Sequence, residues 1–182
     1  MYSTFFRKTQ KGFTLIELLV VIAIIGILAS IVVVSLSSAR GKARDARRVS
    51  DVRSVQKALE FYYNANAEYP TSCGATTGVW RGHGSNFGDC NTNYIEGLTS
   101  YLAVLPIDPS GDTTSGYIYR VSNSQKDYKF MSFGKLEQTS YPQGESLARC
   151  PLSCPVASTH CSTDANALKT AAVYSSVTTE CW

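Results

Sequence analysis

The sequence predicts an α+β chain in which one long N-terminal helix carries a small antiparallel sheet. Three observations predict it. Residues 18–39 contain no charged side chain, a run of 22 positions; at about 1.5 Å per helical residue this reaches roughly 33 Å, enough to cross a bilayer core. The stretch from Ser37 to about Asn64 has no proline and one glycine, Gly41, and its Ala43, Ala46, Val49, Val52, Leu59 and Tyr62 return mostly at the three- and four-residue steps of a helix face. Further along, residues 117–121 and 128–133 are rich in aromatic and β-branched side chains with strand-like alternation.

The chain has 182 residues, 44% hydrophobic and 17% charged, which suits one compact domain with accessory segments. Its net charge of +3 is too mild to specify nucleic acid as a partner. The run that begins Leu18-Leu-Val-Val-Ile-Ala is apolar on every face, so it belongs in lipid or in a protein core, and no other part of this chain could enclose it. An ordinary secretory signal cut after Ala39 would have too long an apolar region, since such regions run about 7–15 residues. A lipoprotein signal needs a cysteine, and none lies near. Glu17 at the edge of the run separates a plain anchor from something more specific. A carboxylate in a membrane helix costs about 2.5–3.5 kcal/mol at the centre and less toward the edge. A cut after Gly12 would create a positive amine on Phe13, able to neutralise Glu17 of an adjacent subunit and set the axial register of packed helices.

Lys11-Gly12-Phe13-Thr14-Leu15-Ile16-Glu17-Leu18 followed by the apolar helix resembles the prepilin cleavage and methylation segment. That segment is shared by type IV pilins, type II secretion pseudopilins and competence pilins, and the match covers about residues 12–38. The resemblance implies cleavage between Gly12 and Phe13 by a prepilin peptidase/methyltransferase, N-methylation of Phe13, Glu17 as the assembly glutamate and Gly26 as the small residue inside the helix. Many pilins carry a helix-breaking proline where this sequence reads Ile31-Val32-Val33-Val34. The implied order is a leader at 1–12, a membrane and assembly helix at 13–38, its amphipathic continuation at 39–66, a pilin-like headgroup at 67–137 and a Cys-rich extension at 138–182. The implied life history is a single-pass inner-membrane protein with a cytoplasmic N-terminus and an external headgroup, which then enters a filament through self-assembly, other pilins and an inner-membrane assembly platform. The positive-inside rule argues the other way, because the basic residues after the helix outnumber those before it; the leader motif is taken to override it.

Arg40, Arg44, Arg47 and Arg48, with Lys42 and Arg53, make the second segment basic. Three readings stay open: a solvated helix face, charge pairing between neighbouring subunits, and DNA binding. No aromatic stacking partners are interleaved among these residues, which weakens the last.

Beyond the helix, Tyr69-Pro70 supplies the stop signal. Residues 71–93 read as a Gly-, Thr- and Asn-rich loop between Cys73 and Cys90, and a bridge closing it would stabilise by about 3 kcal/mol. Residues 94–105 read as a short helix, since Ile95, Leu98, Leu102 and Leu105 recur at helical steps before Pro106. Residues 122–127 link the two strands as a hairpin. Residues 138–182 read as an irregular disulfide-stapled cap with one strand near 171–177. Six cysteines, Cys73, Cys90, Cys150, Cys154, Cys161 and Cys181, all follow the apolar run and read as disulfides in an oxidising compartment, with fifteen connectivities open.

Residues 69–137, with Leu105-Pro106-Ile107-Asp108-Pro109 and Tyr117-Ile118-Tyr119, also resemble the major pseudopilin headgroup. Those pseudopilins often bind calcium in a later acidic, Gly-rich loop; no such cluster follows Phe133 here, and Asp108 and Asp112 read as turn residues. Cys150, Cys154, His160 and Cys161 are the right types for zinc, but their spacing fits no common site. His83 lies in a Gly-flanked loop without a nucleophile motif. The expectation is therefore no metal, no cofactor and no enzyme, but a prepilin that polymerises into a type IV pilus-like filament. The alternatives are a type II secretion pseudopilin and a DNA-uptake pilin.

Overall fold

The computed structural model describes residues 12–88, 90, 92–114, 116–141, 147–148 and 169–175. Helix α1 runs unbroken over Leu15–Asn66, so residues 31–34 stay helical without the proline. By compactness the chain divides into two units, Met1–Ala39 and Arg40–Trp182. In the first, the described apolar side chains of α1 are exposed, and the segment has the length and composition of a membrane span.

The second unit holds the core. Strands β1 (Arg81–Gly82), β2 (Tyr117–Val121), β3 (Tyr128–Ser132) and β4 (Ala171–Tyr174) lie in chain order in one antiparallel sheet. Tyr119 opposes Phe130, and Phe130 opposes Val173. Because side chains alternate across a strand, Tyr117, Tyr119, Val121, Tyr128, Phe130 and Val173 share one face, packed in a single core with Val52, Val55, Ala58 and Leu59 of α1. Ile118, Met131 and Ala172 share the other face with Trp80, Phe87 and Phe133. Every residue of β3 is buried, as befits a strand with neighbours on both edges and cover on both faces.

The helix face differs from the expected one. Ala43 and Ala46 are exposed, while the buried stripe is Gly41, Asp45, Arg48, Val52, Val55 and Leu59. Its upper half is apolar and was legible; its lower half is polar and invisible to a hydrophobic pattern. The expected helix at 94–105 is also absent as such. Only Leu98–Ser100 forms a 3-10 turn, since Gly97 has φ +72 and Ile95 bridges to Ser72. The spacing of Ile95, Leu98 and Leu105 reported burial, not helix. Within the expected loop 71–93, the two-residue β1 and a 3-10 turn at Ser85–Phe87 went unpredicted because they are too short to show a period.

The disulfide Cys73–Cys90 is present, with Cα atoms 5.9 Å apart. The hairpin and the strand at Ala171–Tyr174 match expectation. Cys150, Cys154, Cys161, Cys181 and the leader up to Lys11 lie outside the described residues.

Phe130 is fully buried between Tyr94 and Tyr117, with ring centroids 6.3 and 5.7 Å away. Phe130→Ala should therefore cost about 3–5 kcal/mol, measured by urea unfolding of the full chain in detergent; a loss under about 1 kcal/mol would contradict this packing.

Candidate functional site

Two sites emerge, one in each unit. In the first, Gly12 and Phe13 are exposed ahead of the helix, Phe13 by 92%. Thr14 precedes the first helical residue and donates its N–H to Glu17 Oε2 at 2.8 Å and its hydroxyl to the same oxygen at 2.6 Å. The Glu17 N–H donates back to Thr14 Oγ1 at 3.3 Å. This reciprocal pair is a capping box, which satisfies donors that a helix start leaves open. Glu17 thus starts the helix, a local role the sequence reading did not assign. At Gly26 an added Cβ would meet nothing within 4 Å, so nothing in this unit requires its smallness.

The second site is built on the basic segment of α1, and it sorts the arginines. Arg40 and Arg47 are exposed, Arg47 only 3.9 Å from Asp51 in a loose ion pair. Arg44 is half-buried and holds Glu137 through both of its carboxylate oxygens. Arg48 is 1% exposed. Its Nε and Nη2 donate to the two oxygens of Asp108 at 2.8 and 2.9 Å, and its Nη1 donates to Asp45 at 2.9 Å and Glu137 at 3.0 Å. A basic row of six residues was expected; the fold takes Arg48 inside, pairs Arg44 with Glu137 and leaves Arg47 only loosely paired. The missed signal lay in spacing. Arg48 and Asp45 extend the stripe of Val52, Val55 and Leu59 by further turns of the same helix face, and an ionisable residue on a buried stripe needs a partner.

Asp45 also accepts backbone N–H groups from Glu137, Gln138 and Thr139, at 2.9, 2.7 and 2.8 Å. The segment after β3 thereby crosses α1 at close range. A Cβ on Gly41 would come to 2.9 Å from Gln138 Cγ, so a larger residue there would have to displace the Gln138 side chain. Asp108 closes its own turn by accepting the N–H and hydroxyl of Ser110. Its expected turn role holds, with the Arg48 pair added. Asp112 likewise accepts from Thr114 and pairs with Lys135. Protein cations and turn donors thus engage both carboxylates. Among the described residues no group of three or more His, Cys, Asp or Glu is placed to hold a metal ion.

A capping-box glutamate opening an exposed apolar helix, with a second unit of helix packed on an antiparallel sheet, defines a pilin-like structural subunit. Residues 7–33 match the model of the prokaryotic N-terminal methylation motif, and residues 35–146 match that of the type II secretion system, protein G. The chain belongs to the type II secretion system protein G family. Relatives described as type II secretion system core protein G include one from Pseudomonas aeruginosa, 31% identical over 128 residues, 70% of this chain and 85% of the relative. Another, from Klebsiella michiganensis, is 47% identical over 66 residues, 36% of this chain and 46% of the relative; a third, from Aeromonas hydrophila, is 46% identical over the same shares. In those last two the match spans just under half of the relative's length. No solved structure matches.

The carboxylates of the second site make its stability acid-sensitive. Glu137 is pulled down to about 2, chiefly by its bond to Arg44. Burial would raise Asp45 and Asp108, but the backbone donors and Arg48 on the first, and Arg48 and Ser110 on the second, hold both below the ordinary range. Groups whose folded pKa lies below the unfolded value of about 4 stabilise above it and lose that contribution as pH falls. Asp51, raised by burial, works in the opposite direction, one group against three. The urea midpoint should therefore drop between about pH 5 and pH 2.5, and Glu137→Gln should flatten the lower part of that slope; a midpoint that stays level or rises would contradict the assignment.

Proposed function

We propose that this chain is a pseudopilin of a type II secretion apparatus, trimmed between Gly12 and Phe13, N-methylated on Phe13, and stacked into an envelope filament through its apolar helix. The observation that carries this is Glu17. Its carboxylate sits at the mouth of a helix whose apolar surface is uncovered in the chain, and only the Thr14 donors meet it among the described residues. A carboxylate in that setting calls for a cation, and the new amine of Phe13 on a neighbouring copy supplies one. Gly26 fits the same reading, since a gap on an uncovered helix matters only to something packed from outside. The bilayer holds the chain before assembly, a prepilin peptidase/methyltransferase processes it, and an inner-membrane platform adds it to the filament.

The protein G relatives favour secretion over the type IV pilus subunit that the sequence first suggested. The DNA-uptake reading weakens for a separate reason: of Arg40, Arg44, Arg47 and Arg48, the last is enclosed and Arg44 is held by Glu137.

Intact mass and N-terminal sequencing of membrane and sheared fractions, wild type against Glu17→Ala, should find chains that begin at methylated Phe13, with the sheared pool depleted in the variant. Deleting the chain should block export of secreted proteins while surface pili persist. A start after Ala39, or lost pili with normal export, would overturn the proposal.

A further inference from the structure

We infer that Arg40 and Lys42 form a collar that binds the phosphates of anionic phospholipids where α1 leaves the bilayer, and so fixes the depth of the chain before assembly; this rests on the bilayer-held state proposed above. The level of each cation follows from counting along α1, which is unbroken over Leu15–Asn66. Residues 18–36 would extend about 28 Å as a helix, close to the roughly 30 Å of a hydrocarbon core. Ser37 and Ser38 then mark the change from hydrocarbon to interface. Arg40 stands about 6 Å beyond Leu36 and Lys42 about 9 Å. The polar layer on each side of a bilayer is about 5–8 Å deep, so a guanidinium and a long-stemmed ammonium at these positions reach its phosphates. Arg47 and Arg53, about 16 and 25 Å beyond Leu36, do not.

The fold leaves these two cations available. Arg44 and Arg48 are taken by carboxylates of the second unit. Arg40 and Lys42 are exposed, and neither has an ion-pair partner among the described residues. Their placement around the helix says what kind of partner fits. Two positions apart on a 3.6-residue turn, they stand about 200° apart, nearly back to back, and about 3 Å apart along the axis. A second copy of the chain, or a nucleic-acid duplex, packs against one side of a helix and would meet one of the two. A plane of headgroups surrounds the helix and meets both. Guanidinium and ammonium each pair with a phosphate, and the pairing favours lipids whose phosphate carries no compensating cation of its own. Drawing the subunit out of the membrane would break both contacts.

The test reconstitutes the full-length chain in phosphatidylcholine vesicles that carry a trace of spin-labelled phosphatidylglycerol or spin-labelled phosphatidylcholine. Electron spin resonance then gives the fraction of each label slowed by contact with the protein. The basic residues before the apolar run are present in every variant, so the change in preference is read rather than its absolute size. A cation near a charged surface is worth roughly fivefold in affinity, diluted here over all the lipids that touch the helix. Arg40→Gln with Lys42→Gln should therefore reduce the preference for phosphatidylglycerol about twofold or more, whereas Arg53→Gln should leave it unchanged. A double variant that matches wild type overturns the inference. So does an Arg53→Gln chain that loses as much, since that would assign the preference to diffuse charge. Loss of chemically crosslinked dimers in the double variant with lipid preference intact would also overturn it, in favour of a neighbouring copy as the partner. Slowed lipid with both labels but no change on substitution leaves the bilayer-held state standing and removes only the collar. No slowed lipid with either label removes the bilayer-held state, and the collar with it.

Discussion

A guanidinium with 1% of its surface exposed cannot stand alone, because removing a charge from water costs several kcal/mol unless carboxylates and hydrogen bonds replace the lost hydration. Arg48 makes this demand at the start of the headgroup, and much of the surrounding chain is arranged to meet it. Asp108 must be delivered by a turn that Ser110 helps to close. The segment after β3 must cross α1 closely enough for Glu137 to reach, and that crossing brings the Gln138 side chain to within 2.9 Å of where a Cβ at position 41 would stand. Asp45, itself enclosed, is satisfied by three successive backbone N–H groups of the same segment. Helix, turn and segment are thus fastened at one point by groups whose geometry is directional, where an apolar contact would have allowed sliding.

Above that point the core is held differently. Its large side chains are mostly tyrosines, which bring apolar area together with a hydroxyl that needs a partner when buried. Tyr94 and Tyr119 donate to the carbonyls of Pro106 and Pro70, and Tyr117 donates to Asp51. Tyr69 and Tyr128 converge on Glu60 of α1. Burial pushes the phenols of Tyr94, Tyr117, Tyr119 and Tyr128 well above their ordinary values, so they remain neutral donors. Each hydroxyl ties a strand or loop to a defined place on α1 or the proline turns, which fixes the strands' register against the helix more tightly than aliphatic packing would.

The unit before Arg40 obeys a different logic. Its described apolar side chains are uncovered and its polar features are few, so each polar feature carries information. The capping box lets Glu17 begin a helix before any partner is present. The same carboxylate then has a reason to seek a cation once lipid or other helices surround it. One residue serves folding in the single chain and, in the proposed filament, registration between copies.

What the amino-acid sequence determined by itself was whatever follows from local pattern. The charge-free run marked the apolar helix, Gly12 to Glu17 marked the class of subunit, alternation marked β2 and β3, and the proximity of Cys73 to Cys90 marked their bridge. Each of these rests on neighbours in the chain or on a single periodicity. Tertiary structure alone decided which basic residues are inside, what stands beside position 41, and why residues 94–105 turn rather than coil. The buried and paired arginines depend on partners 60 to 93 positions away, position 41 faces Gln138, and Ile95 bridges to Ser72; no local period encodes these contacts. An arginine on a helix looks solvated until the fold brings Asp108 and Glu137 to join Asp45 around it; desolvation and distant charge, not propensity, settled where Arg48 went.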